Sequence, residues 1–280
     1  MDSGYNLKKI QEIELEILDE IIRICDKYQI KYDLEGGSCI GAVRHSGMIP
    51  WDDDIDLGML RSEYDRFVAV CKKELDASRF LFQDMNTDPN CGLIFGKVRR
   101  KDTILSETYS HQLSFHQGVW VDIFAYDNVV DDDSQRMKER KKIKRLQNLY
   151  IIRCGYKCPE GASRVEKLGY FLIKPFTYLF SYNYYVTHLN QRMRKHNTES
   201  CSYVFNYGGA YPDKGLFSKT LFTNLINHEF NGRQVKIFKD YDLYLTQLFG
   251  DYMQLPPKEK RNGGSHIVFQ FQDNRNTRSS

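Results

Sequence analysis

The sequence lacks a long uninterrupted apolar run. Its most apolar stretch, LGYFLIKPFTYLF at 168–180, contains Lys174 and Pro175 and falls short of the ~20 residues a bilayer span needs. A mean hydropathy of −0.56 likewise excludes an integral membrane protein. Core packing is the expected fate of that stretch, and an interfacial patch touching a membrane is the sharper alternative. Charge of one sign is lacking too: 40 Lys and Arg against 37 Asp and Glu leave +3, too little to imply nucleic acid. The seven cysteines are irregularly spaced, and no second pair at zinc-site spacing follows Cys154 and Cys158. With no evident secretory signal, reduced thiols and a cytoplasmic site of action are expected, with peripheral contact at the inner face of the plasma membrane as an extension.

What is present is ordinary globular composition, 41% hydrophobic and 28% charged over 280 residues, enough to bury a sizeable core. Ile10, Ile13, Ile17, Ile21 and Ile24 recur at helical spacing, which predicts an amphipathic scaffold helix over 7–28. Residues 62–75 read as a helix with Ser62 as N-cap, followed by strands at 80–83 and 93–99 around a polar loop at 86–91. Lys97, Arg99 and Arg100 then either reach phosphate or form a solvated strand face. Acids at 131–133 precede a basic run in a predicted helix to 154; a solvated face, or contact with an anionic acceptor or membrane surface, accounts for it. Asn231-Gly232 predicts a hairpin turn, and 241–249 a helix ending at Gly250.

The densest chemistry lies at 35–59, EGGSCIGAVRHSGMIPWDDDIDLGM. Gly36, Gly37 and Ser38 follow a short strand-like run and precede a short helix, where backbone N–H groups and a hydroxyl suit a phosphate. After Trp51, the alternation of Asp54, Ile55, Asp56 and Leu57 predicts a strand projecting both acids to one side. Two such carboxylates repel each other unless a hard cation sits between them, and Mg²⁺ (or Mn²⁺) held by carboxylates and substrate phosphate is the usual arrangement. Arg44 and His45, at the helix end, are candidates for phosphate contact or proton donation, against plain helix-end packing. Trp51 is a candidate for the wall of a nucleotide or choline pocket, against a core role. A further acid, Asp122, sits inside the apolar strand GVWVDIF, where an unpartnered carboxylate is rare.

Gly-Ser, a short helix and Asp-x-Asp on a strand form the arrangement of the nucleotidyltransferase fold. IGAVRHSGMIPWDDDIDLGM closely resembles the signature of the LicD family, phosphocholine transferases of bacterial cell-surface glycans, which is similar to the fukutin-type phosphosugar transferases. The segments around Asp122-Ile123-Phe124 and GDYMQLPP at 250–257 also resemble that family. Phe230-Asn231-Gly232 stands where the family has a Phe-Glu-Gly type turn, with Asn replacing the acid.

The resemblance implies an α+β fold: a nucleotidyltransferase-like mixed sheet flanked by helices over 1–127, a mostly helical acceptor-side region over 128–270, and a disordered tail at 271–280. It implies a phosphotransferase moving phosphocholine from a CDP-activated donor such as CDP-choline to a hydroxyl of a cell-surface glycan or its lipid-linked precursor. Lipopolysaccharide, teichoic acid or capsule are the polymers in view, and glycerol phosphate or ribitol phosphate are alternative cargoes. Asp54, Asp56 and Asp122 are then the catalytic and metal set, with Asp122 as metal ligand or base. Gly37, Ser38, Arg44, His45 and Trp51 face the nucleotide and its phosphates. Asp127 is the reserve acid, against a turn-capping role. Two readings of another class are an inactive relic and a calcium loop on Asp52, Asp54, Asp56 and Glu63. The calcium loop fails at Leu57, where the sharp turn requires Gly.

Overall fold

The isoleucine stripe builds the first helix as its spacing predicts: α1 (Leu7–Tyr28) buries Ile10, Ile13, Ile17, Ile21 and Ile24. The computed structural model describes residues 7–158, 161–211, 213–261 and 268–275. After α1 come β1 (Asp33–Leu34), α2 (Gly36–His45), β2 (Asp56–Leu60), α3 (Arg61–Glu74), β3 (Phe80–Gln83), β4 (Gly96–Arg100), β5 (Thr103–Glu107) and β6 (Trp120–Val129). The second half contains α4 (Asp133–Cys154), α5 (Arg164–Thr177), α6 (Tyr182–Met193), β7 (Tyr203–Asn206), β8 (Leu216–Ser218), β9 (Leu225–Phe230), β10 (Arg233–Phe238), α7 (Tyr241–Phe249) and β11 (Val268–Asp273). The fold is α+β, as expected.

The ten-residue β6, buried throughout, organises the main sheet. β2 runs parallel along one side of it, while β4 and then β7 pair antiparallel along the other. β1, β3 and β8 extend the edges to seven strands. α1 and α3 pack side by side against this sheet, and their apolar faces join Leu57, Met59, Val121, Ile123 and Ala125 in the main core. A second apolar cluster joins α4 and α6 through Ile143, Tyr150, Tyr185 and Leu189. β7, from beyond residue 127, pairs with the C-terminal end of β6 at Tyr126–Val129, so the sheet continues into the second half. The β9–β10 hairpin turns on Asn231 and Gly232, both at positive φ (47° and 77°), the geometry of the predicted tight turn.

Several local expectations shift. β2 starts at Asp56, leaving Asp54 in the approach to the strand. α3 starts directly from β2 at Arg61, so Leu60 takes the cap position and Ser62 falls inside the helix. β4 begins at Gly96, three residues later than predicted. Arg99 and Arg100 neither face solvent nor stand open to a phosphate. Arg99 is buried against Gln83 and the Gly118 carbonyl, and Arg100 pairs with Asp102 and Glu16. The stretch 168–180 is not core: Thr177 alone is buried in α5. The tail expected to be disordered from 271 instead carries strand to Asp273, paired with β5; residues 276–280 lie outside the described part. Among the described residues no helix is long and apolar enough to cross a membrane.

Candidate active site

Register assembles the site. Asp56 on β2 lies opposite Asp122 on β6, and Asp122 lies opposite Lys97 on β4. Laterally paired residues share a face, so two carboxylates and an ammonium form a row across three strands. Lys97 Nζ stands 2.6 Å from Asp122 Oδ1, with both side chains under 10% exposed at 6% and 7%. The Lys97 ammonium also packs 4.1 Å from the Trp120 ring centroid.

Gly36 opens α2 at φ +49°, and a Cβ there would stand 3.9 Å from Asp56 Oδ2. Its N–H donates to the Tyr244 hydroxyl at 3.0 Å, which ties α7 to the start of α2. A Cβ on Gly37 would meet Asp52 Oδ2 at 2.8 Å, so the absence of a side chain lets the acidic loop lie against the helix N-terminus. The buried Ser38 hydroxyl accepts from the Asp56 N–H at 2.9 Å, fixing the strand start to α2 and leaving its O–H to donate. Gly37 and Ser38 thus stand against Asp52 and Asp56 at the start of α2.

Asp52, Asp53 and Asp54 each offer an oxygen within 4.8 Å of the others. The Asp56 carboxyl is held well above its ordinary range, first by burial, then by Asp54, Asp122 and Glu35, with Lys97 opposing. Glu14 of α1 is raised in the same way, by burial and then by Asp54, Asp53, Asp52 and Asp122. Its Oε2 has no hydrogen-bond partner among the described residues. So much negative charge around one row is destabilising alone and suits a hard cation with oxygen donors. An EF-hand does not form: Leu57 continues into β2, and Glu63 pairs with Arg66 at 2.7 Å on α3.

A small cavity of about 70 Å³ opens beside Asp56, walled by Glu35, Phe124, Tyr126, Asn206 and Tyr244. Glu35 receives hydrogen bonds from the Tyr126 hydroxyl and the Asn206 amide, and burial pushes its carboxyl up to about 8. A larger cavity of about 490 Å³ adjoins through Asn206, Gly209 and Ala210, lined on its α4 side by Arg140, Lys141 and Lys144.

Arg44, His45 and Trp51 gather elsewhere, around the far end of α2. Arg44 and Trp51 line a cavity of about 500 Å³ together with Arg261 and the 254–257 segment. Arg44 donates to the Tyr252 carbonyl at 2.5 Å, His45 meets Trp51 edge-on at 5.9 Å, and Arg261 lies 5.2 Å from the Trp51 ring centroid. Burial and the neighbouring Arg261 both lower the Arg44 pKa. Two guanidinium groups facing one cavity create a place for an anion. Eight residues of α2 at 1.5 Å each separate Arg44 from Gly36 at the Asp56 end by about 12 Å along the helix axis, while the cavity wall extends back to Ile40.

Asp127 is neither a site acid nor a turn cap. Five residues along β6 from Asp122 it faces the opposite side, fully buried, with Arg61 donating from Nε and Nη2 at 2.8 and 2.7 Å and Asn197 at 2.6 Å. Asn231 does more than make a turn. Its Oδ1 accepts from the Met48 N–H at 2.7 Å, and its side chain packs on Gly47. The hairpin thus clamps the loop that leads to the aspartates.

Sequence reasoning missed Glu14, Glu35 and Asn206. Glu14 did carry a signal, since it falls on the stripe of Ile10, Ile13, Ile17 and Ile21, where an acid is out of place. Glu35 and Asn206 meet only through the pairing of β6 with β7, which no local pattern announces.

Comparison with known proteins fits this geometry. Residues 29–150 match the family described as LicD/FKTN/FKRP, nucleotidyltransferase domain. The lipopolysaccharide cholinephosphotransferase LicD of Haemophilus influenzae is 32% identical over 263 residues, 90% of this chain and 93% of that protein. The human ribitol 5-phosphate transferase FKRP is 46% identical over 39 residues, 14% of this chain and 8% of that protein. A nucleotidyltransferase-type acidic row, with a relative matched along almost its whole length, places the chain in the LicD family, and it is a transferase.

Proposed function

We propose that the chain transfers phosphocholine from a CDP-activated donor, CDP-choline, to a hydroxyl of a cell-surface glycan or its lipid-linked precursor, on the cytoplasmic side of the membrane. The observation that carries this reading is the row of Asp56, Asp122 and Lys97 beside Asp54, in a chain similar over nearly its full length to a cholinephosphotransferase.

Asp54, Asp56 and Asp122 would hold Mg²⁺ or Mn²⁺, with Asp52 within reach of Asp54. The bound ion supplies neutralisation of the donor diphosphate, whose transfer is mainly a matter of positioning and charge. The chain's own residues do the rest. Trp51, with Arg44 and Arg261 beside it, lines the pocket for the cytidine end of the nucleotide, away from the diphosphate at the acidic row. Ser38 donates its hydroxyl to phosphate while fixing Asp56. Asp122, oriented by Lys97, accepts the proton of the attacking hydroxyl, and CMP leaves. Residues 128–270 shape the acceptor side, where the cavity walled by Arg140, Lys141 and Lys144 receives an anionic stretch of glycan.

The short, strong match to a ribitol 5-phosphate transferase favours ribitol phosphate as the second cargo to test. Ligands that bind only the folded state raise the melting temperature. CDP-choline with Mg²⁺ should stabilise the wild type and leave Asp54→Asn unmoved. Stabilisation by CDP-ribitol or CDP-glycerol alone would change the cargo, and stabilisation by no CDP compound would remove the donor assignment.

A further inference from the structure

The helix α5 turns its apolar side outward. Val165, Leu168, Phe171, Leu172 and Phe176 are 80%, 58%, 74%, 57% and 67% exposed. At helical spacing they span a stripe of about 140° of arc, and Leu179, beyond the helix end, continues it at 75% exposure. Patches of this extent on a soluble surface mark an interaction site.

The helix is built to stand in this position. A Ser163–Glu166 capping box starts it, the Tyr170 hydroxyl donates to the Tyr156 carbonyl, and Arg153 donates to the Phe180 carbonyl at 3.2 Å while its guanidinium packs 3.8 Å from the Tyr182 ring centroid. The inward side is thus held by polar and aromatic contacts, and the apolar stripe is left without a covering element among the described residues.

We infer that this stripe lies in the interfacial layer of an anionic phospholipid bilayer, with the helix axis parallel to the membrane plane. Three observations select that occupant. Fourteen residues at 1.5 Å rise are about 21 Å long, too short to span but suited to lying in the interface. The charges beside the stripe are mostly cationic: Arg164, Lys167 and Lys174 against Glu166, whose carboxylate is already occupied by the Ser163 N–H. Packed against α5, α4 adds exposed Lys142 and Arg145. Tyr178, Tyr182 and Tyr184 follow the helix, an aromatic collar of the kind that sits at headgroup level. A second copy of the chain would instead bring the same cations against each other.

The inference does not depend on the transferase reading, and its test needs no substrate. The full chain is sedimented with vesicles of phosphatidylglycerol and phosphatidylcholine in equal parts, and with phosphatidylcholine alone. Partitioning should favour the anionic vesicles by about tenfold, weaken in high salt, and fall about tenfold in Phe171→Ser/Leu172→Ser/Phe176→Ser at unchanged melting temperature. Arg164→Glu/Lys167→Glu, which leaves the stripe intact, should lose the preference for anionic lipid. Equal binding by the triple variant and wild type overturns the proposal. So does a dimer that the triple variant dissolves while no vesicle binds, which assigns the stripe to a second copy.

Discussion

Asp127→Asn separates the two aspartates of β6 by consequence. The substitution keeps volume and removes the charge that Arg61 faces through two hydrogen bonds, while the Asp127 side chain is 0% and the Arg61 side chain 8% exposed. Arg61 cannot shed its proton, so it remains as an uncompensated buried cation, which costs about 3–5 kcal/mol. In a chain of this size that lowers the melting temperature by roughly 6–20 °C. A urea titration should show a lower midpoint at unchanged slope, with activity per folded molecule preserved. Arg61→Leu/Asp127→Leu should recover most of the loss, because an apolar pair of similar size replaces a buried ion pair at little cost. Asp122→Asn should behave in the opposite way, losing turnover for a smaller loss of stability, since Lys97 still faces the Asp56 carboxyl. A folded Asp127→Asn protein that has lost activity, or one destabilised by less than about 1 kcal/mol, would refute this assignment.

Other consequences follow from the same contacts. Asn231→Ala leaves the Met48 N–H without its acceptor and puts Ala at φ 47°; a loss of about 1–3 kcal/mol is expected, with faster amide exchange at 46–48 as the readout. Glu14 holds its proton above the usual carboxyl range, so its contribution is fully present below the unfolded-state value of 4.5 and is lost as pH rises toward the folded-state value. Glu14→Gln should therefore flatten the decline of stability above pH 4.5, measured by chemical denaturation across pH. Asp273 is depressed to about 2, chiefly by its hydrogen bond from Arg275. Its stabilising effect on β11 is present above its ordinary value of 3.8 and disappears as pH falls toward 2, which exchange protection in β5 and β11 should report.

Local patterns carried the elements well and the burial less well. The Ile10 to Ile24 stripe, the Asn231-Gly232 turn and the Gly250 stop each act within one turn or hairpin, and each appears where its pattern puts it. The stretch 168–180 misled because apolar composition says that a face must be covered, not what covers it. Asp127 and Asp122 look alike in the sequence, both acids in a hydrophobic strand. The odd spacing of five puts them on opposite faces, and only the position of Arg61 on α3 reveals what Asp127 does. Closeness in the chain suggests that Arg44, His45 and Trp51 stand beside the acids. The length of α2 carries Arg44 and His45 away from the acids, and the Trp51 ring turns back toward them, so that Arg44 and Trp51 line another cavity, where Arg261 joins them from the far end of the sequence.

The most direct test is release of CMP from CDP-choline with a glycan acceptor, measured with and without Mg²⁺ for the wild type, Asp54→Asn and Asp56→Asn. Metal-dependent release by the wild type and a loss of at least about 100-fold in either folded variant are expected. Turnover that persists in both variants, or that is indifferent to Mg²⁺ and Mn²⁺, would contradict the placing of catalysis on this acidic row.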